Sequence, residues 1–262
     1  MGTLNQIISD YTLDNFLYDL VVAVFAYFYI FITIFIPVYL KKKGQISKFI
    51  ARKIVHLCAG LVVLIVPFFI LPLHAIYIAL SMTIAVYFSS RDSSIKHLQE
   101  LYKSIGEEAE EKVGRLQGPF TYSISITLLI AIFAFFAPDQ LYFPICGILI
   151  MIISDTFASL VGKKYGRIKI APFYTGSQRT LEGSLTFLVT AFLLCFSAFY
   201  FYGLGNSMNH NQQALGLKMI FIYSIITSLT GTLVELFSPS MLDDLTIPIA
   251  TTMIVYFLAF LI

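Results

Sequence analysis

The chain contains no tryptophan, three cysteines and few charges: Asp, Glu, Lys and Arg make up 12% of its 262 residues. An ordinary soluble domain carries about 25% charged residues. So little charge cannot cover a water-facing surface. A soluble enzyme, a disordered protein and a disulfide-stapled secreted module are therefore excluded. Cys58, Cys146 and Cys195 each lie inside an apolar run, and no pair has metal-ligand spacing, so they read as small core hydrophobes. A secretory signal is also missing. Asp10 and Asp14, with no Lys or Arg, precede a first apolar run that is too long for a signal, so it is expected to stay as a spanning helix. No internal repeat is visible, which gives no support to an inverted-repeat transporter. Without tryptophan, any interfacial belt depends on tyrosine.

What is present is hydrophobicity: 58% of residues are apolar and the mean hydropathy is +0.84. The fold class this implies is an all-α, polytopic integral membrane protein. A crossing helix needs about 20 apolar residues. Eight runs qualify, near 16–40, 50–71, 72–89, 119–137, 141–161, 181–203, 214–237 and 245–262, with the second and third separated only by the Pro72 region. An eight-span path puts 16 of the 17 basic residues on one side and leaves Lys218 alone on the other. The positive-inside rule then makes that side cytoplasmic and both termini external or lumenal. In the 90–117 loop, Ile95, Leu98, Leu101, Tyr102, Ile105 and Val113 recur at helical spacing. This predicts an amphipathic helix on the headgroups, with Glu107 to Glu111 in water.

Ionisable residues in or at the ends of spans are functional suspects, because placing them there is costly. Four groups fall on the cytoplasmic side. Arg52 and Lys53 share a helix face with His56 and suit an anion; they also suit interfacial anchors. Asp155 lies near the end of the fifth span, on one face with Ser159 and Gly162, small residues that leave room for a ligand; the alternative is a structural partner on a neighbouring helix. Lys163, Lys164, Arg167, Lys169 and Arg179 stand between Asp155 and Glu182 with no acid among them. This stretch reads as a phosphate site or as an anchor to anionic lipid. Gly162, Gly166 and Gly176 permit close backbone approach there. Thr180 stands where an N-cap would open the sixth span. Glu182, in the first turn, suits the helix dipole or a magnesium ion. Last, Glu235, Asp243 and Asp244 flank a short turn containing Pro239 and call for a neutralising cation; the alternative for the aspartates is to cap the last helix.

Taken together, basic residues for phosphates, carboxylates for magnesium and greasy surroundings predict phosphoryl or nucleotidyl transfer to a lipid whose tail stays in the bilayer. No Walker motif and no kinase-type glycine loop is present. The segments RKIVH (52–56), SDTFASLVGKKYGR (154–167), SQRTLEGS (177–184) and VELFSPSMLDDLTIP (234–248) occur in that order. In this combination the chain resembles the CTP-dependent polyprenol kinase family, which includes dolichol kinase, phytol kinase and the fungal CTP-dependent diacylglycerol kinase. The resemblance runs from about residue 50 to 262. It divides the chain into an N-terminal extra span (1–45) and a membrane-embedded kinase domain (46–262).

The resemblance implies transfer of the γ-phosphate of CTP to the hydroxyl of a membrane isoprenoid alcohol, with a divalent metal such as Mg2+ required and CDP released. Its expected partners are CTP, the lipid alcohol and the bilayer; no nucleic acid is expected. By position, Asp155, His56 and Glu182 are the expected catalytic groups. Arg52, Lys53, Lys163, Lys164, Lys169, Ser177, Arg179, Thr180, Gly183 and Ser184 are expected to bind nucleotide. Asp155, Glu182, Glu235, Asp243 and Asp244 are the expected metal ligands. There are two departures. Arg179 replaces the usual lysine of the K-T-x-E-G-S signature, and Asp244 stands where an asparagine is usual. The membrane CDP-lipid synthases share a similar core, but Leu242 to Pro248 replace their usual final segment. Cytidylyl transfer is accordingly the second expectation, and an anion transporter the third.

Overall fold

The first apolar run is a single helix, α2 (Leu13–Lys42), entered from a short helix α1 (Leu4–Ser9) and capped by Thr12, whose hydroxyl accepts from the Asn15 amide. The computed structural model describes residues 4–170, 172–175, 179–204, 212–239 and 242–261. Ser47 caps α3 (Lys48–Gly60). Past Gly60 the chain tightens into a 3₁₀ stretch, Leu61–Phe68, where β-branched residues crowd the helix and Pro67 lacks an amide hydrogen. Helix α4 (Leu73–Phe88) follows Pro72.

Among the described residues, seven helical segments are long and apolar enough to cross a bilayer. The expected third span is the exception: α4 has 16 residues, about 24 Å at 1.5 Å per residue, against a hydrocarbon core of about 30 Å. Pro72 at one end and the turn at Ser89 at the other set its limits. It still returns the chain. Val86 near its end packs on the same apolar group as Ala51 of α3 and Leu101 of the following loop, and Ala75 near its start lies in the main core with Val63 and Val66.

The 90–117 loop forms two helices, α5 (Lys96–Ile105) and α6 (Glu108–Val113), rather than one. Leu101, Tyr102 and Ile105 are buried against Ala51, Leu116, Ile34, Val38 and Val86. The loop is thus clamped onto the bundle and not simply laid on headgroups. Glu110 is buried instead of standing in water, because Arg52 and two backbone amides take up its carboxylate.

Helix α7 (Gln117–Phe136) leads to α8 (Tyr142–Leu149), the most enclosed part of the bundle. A π-helical turn, Ile150–Ser154, joins α8 to α9 (Asp155–Tyr165). Helix α10 (Leu181–Phe199) ends in a second π-turn, and α11 (Leu217–Phe237) and α12 (Asp243–Leu261) complete the chain. Gly147 lets α8 lie directly on α12: a Cβ there would meet the Pro248 carbonyl at 2.7 Å and Thr251 Oγ1 at 2.9 Å. Such close approach through small residues drives helix association in lipid. The basic segments around Lys48, Lys103 and Lys163 meet at one end of the bundle. The 138–141 and 212–215 segments pair at the other.

Candidate active site

Asp155 is placed by the π-turn that precedes it. A π-turn inserts an extra residue into the helix and is common at functional sites. It occurs where the buried α8 axis leaves the core, so the first residue beyond it stands half-buried at the basic end of the bundle. Asp243 and Asp244 open α12 beside it, and Glu235 comes from the last turns of α11. Asp155 lies within Coulomb reach of all three, as well as of Arg179 and Lys53. Asp244 also feels Arg52 and Lys53. Ser125 on α7 donates to the Asp244 carbonyl at 2.8 Å and fixes the start of α12.

Arg179 holds this end together. Its Nε lies 2.8 Å from the buried Glu235 carboxylate and its Nη2 lies 3.4 Å from Asp243. Its Nη1 donates to the carbonyls of Leu236 (3.3 Å) and Ser238 (2.5 Å). The guanidinium is therefore taken up by the α11–α12 turn, where sequence reasoning placed a nucleotide. A lysine could not span four acceptors set around a planar fork. Ser184, also an expected nucleotide ligand, donates to Glu235 at 3.3 Å.

Thr180 is the N-cap of α10, as the sequence predicts, with Oγ1 accepting from the Gly183 amide at 3.2 Å. Gly183 does not line open space. It meets Ala158 and Gly162 where α10 crosses α9, so the small face around Gly162 serves helix packing. Glu182 stands apart from the other carboxylates and accepts from the Ile168 amide at 3.5 Å. The 168–170 stretch pairs with 179–181, closing the basic loop on itself. Lys163 lies over the Phe49 ring at 4.7 Å and Lys164 over Tyr165 at 5.0 Å. Lys169 sits in the paired stretch. Gly176 and Ser177 lie outside the described residues.

On α3, Arg52 is held by Glu110 at 2.6 Å and Glu107 at 3.2 Å, so its charge is largely matched from α6. Lys53 has no ion-pair partner among the described residues. His56 lies against Tyr122, ring centroids 4.5 Å apart, and Tyr122 donates to its carbonyl at 3.1 Å. The Nε2 of His56 is buried without a partner among the described residues. An apolar cavity of about 160 Å3 between α2, α3, α4 and α7 ends at Arg52, His56 and Asp244. Asp244 thus joins the carboxylate cluster to a greasy chamber.

Among the described residues, no three of His, Cys, Asp and Glu are gathered as a ready metal site. The chemistry of the donors still suits magnesium, a hard cation usually held by one or two carboxylates and completed by substrate phosphates and water. Sequence reasoning missed Glu110 and Tyr122. Glu110 had a readable sign, since Glu107 and Glu110 have capping-box spacing and form that box. Tyr122 had none.

A stretch of 162 residues, 61% of this chain, is 33% identical to the dolichol kinase of Saccharomyces cerevisiae, but it spans only 29% of that protein. Over 79% of the chain, and 78% of the relative, identity is 28% to the phytol kinase of Synechocystis. An uncharacterised protein of Rickettsia prowazekii is 31% identical over 76% of this chain and 89% of its own length. No family model and no solved structure matches.

Proposed function

We propose that this chain, which is similar to proteins named dolichol kinase and phytol kinase, transfers the γ-phosphate of CTP to the hydroxyl of a membrane isoprenoid alcohol of the dolichol or polyprenol type. The products are polyprenyl phosphate and CDP. One observation carries the reading: a cluster of carboxylates with nearby cations adjoins an apolar chamber, and Asp244 belongs to both. Soluble phosphates and a lipid alcohol need those two environments side by side.

In this reading Lys53 and the lysines of the 163–169 segment bind the phosphates. Arg179 acts behind them by fixing Glu235 and Asp243. Asp155, Asp243 and Asp244 would hold magnesium, with Glu235 and Glu182 more remote; when bound with the nucleotide, it neutralises phosphate charge. The alcohol oxygen forms a bond to the γ-phosphorus while its proton passes to a carboxylate, Asp155 first and His56 second. The bond from that phosphorus to the β–γ bridging oxygen breaks, and CDP leaves with the electron pair. The basic end faces the cytoplasm, where CTP is found, and both termini lie across the membrane.

The test is purified protein in lipid with magnesium, a polyprenol and CTP labelled at either the γ- or the α-phosphate. Label from the γ position alone should enter lipid. Label from the α position would make the chain a cytidylyltransferase, and no label from either would end the reading. Asp155→Asn should reduce turnover by roughly 10²–10⁴ with membrane insertion unchanged; near-normal turnover would remove Asp155 from the role of proton acceptor.

A further inference from the structure

We propose that the cavity between α2, α3, α4 and α7 is the acceptor site, and that it takes the hydroxyl-bearing end of a single-chain isoprenoid alcohol with its OH against His56 and Asp244. This rests on the kinase reading and adds where the lipid binds and which lipids fit.

Polarity is confined to one end of the chamber. Its walls along the bundle are aliphatic, from Ile30, Val63, Ile78 and Ile130, and are brought close by small residues such as Ala59 and Ala79. At the other end are Asp244, Arg52 and His56, whose buried Nε2 has no partner among the described residues. A buried polar atom left without a hydrogen bond costs about 1–3 kcal/mol. An occupant is therefore expected to bring one polar group, at this end only. Water does not meet the need along the whole chamber, since an ordered water requires two to four polar partners. A phospholipid does not meet it either, because its phosphate would sit against Asp244 with Asp155 and Asp243 nearby, and Arg52 is already matched by Glu110. A neutral hydroxyl fits, donating to Asp244 or His56.

Size narrows the class further. Ala75 and Val86 both line the chamber, so it extends along α4 for about 17 Å at 1.5 Å of rise per residue. Its volume of about 160 Å3 compares with the apolar cavity of about 150 Å3 that takes up one benzene. That admits a single hydrocarbon chain and not the paired chains of diacylglycerol. The rest of a long polyprenol must leave between helices into the bilayer.

The experiment uses the whole protein in nanodiscs, without nucleotide, and a polyprenol carrying a photoreactive group on its second isoprene unit. The label should land on the 3₁₀ stretch after α3, on α4 and on α7, around Val63, Ile78 and Ile126. Unlabelled polyprenol should compete it away, and diacylglycerol should not. Label on the lipid-facing residues Leu185 and Leu229 instead, with none in the chamber, overturns the site. In a second arm, Ala79→Phe fills the chamber. It should raise the KM for a long polyprenol about tenfold or more, and leave that for CTP unchanged. Unchanged use of polyprenol by a folded Ala79→Phe protein also overturns the site while leaving the kinase reading intact. Chamber labelling with no phosphate transfer supports the site and defeats the kinase reading.

Discussion

Arg179 and Asp19 do similar work at opposite ends of the bundle. Each is a buried ionic group that gathers several segments, and removing one member of such a set leaves the others unpaired. Arg179→Ala strands the Glu235 carboxylate, whose side chain is 7% exposed; loss of one partner in a buried pair costs about 3–5 kcal/mol. Arg179→Lys restores the charge but not the fork. The expected order of thermal inactivation half-lives in detergent is wild type, then lysine, then alanine. A direct phosphate contact would instead raise the KM for CTP in Arg179→Lys with the half-life unchanged. Asp19 is fully buried and accepts from the amides of Ile70 (2.8 Å) and Leu71 (3.0 Å) and from the Tyr11 hydroxyl (2.8 Å). His74 Nδ1 is 3.3 Å away. Burial, then the hydrogen bond and charge of Asp19, push the Tyr11 phenol above its usual range, so it remains a donor at any working pH. Asp19→Ala leaves two amides unsatisfied, at about 1–3 kcal/mol each. It should shorten the inactivation half-life while kcat at low temperature stays near wild type; a lower kcat in an equally stable protein would give Asp19 a part in the reaction.

At the scale of elements, the α5–α6 arm and α2 decide how the basic end is covered. Helix α2 carries Ala26, Ile30 and Ile34 on the chamber wall, and Tyr29 donates to the Cys58 carbonyl at 2.7 Å. The arm is fastened by the apolar group around Leu101 and by two exposed pairs, Lys42 with Glu100 and Lys48 with Glu111. In each pair the ammonium holds the glutamate carboxyl below its usual range. A depressed folded-state pKa favours docking above the unfolded value, about 4.3 for glutamate, and the contribution is lost as pH falls through the folded value. Amide hydrogen exchange across 96–113 should therefore speed up, relative to the bundle core, as pH drops below about 4.3. It should do so only slightly on adding salt at neutral pH, since exposed pairs contribute little. Unchanged relative protection down through that window would show that the apolar anchors alone hold the arm.

At the scale of the whole molecule, the number of apolar runs and the gathering of basic segments at one end were legible because both depend on composition along the chain: lipid demands unbroken apolar length, and cations mark one side. The destinations of individual charges were less legible. Arg52 and Arg179 are phosphate-binding residue types, yet each lies beside a buried glutamate that the sequence places 58 and 56 residues away. The short α4 was legible as the run near 72–89, set off at Pro72, and its observed limits are Leu73–Phe88. That shortness bears directly on the path through the membrane. If α4 failed to cross, every later segment would change sides, and the 163–169 lysines would face away from those around 41–53. The structure brings these two groups together, with Lys163 over Phe49, which requires α4 to return the chain. Single cysteines test this. Cys146 and Cys195 are buried and Cys58 is half-buried, so background labelling is low. Lys112→Cys and Lys164→Cys should react with a membrane-impermeant maleimide from the same face, and Lys218→Cys only from the opposite one. Labelling of Lys164→Cys and Lys218→Cys from one face would break the eight-crossing path, and with it the proposal that the carboxylate cluster faces the cytoplasm.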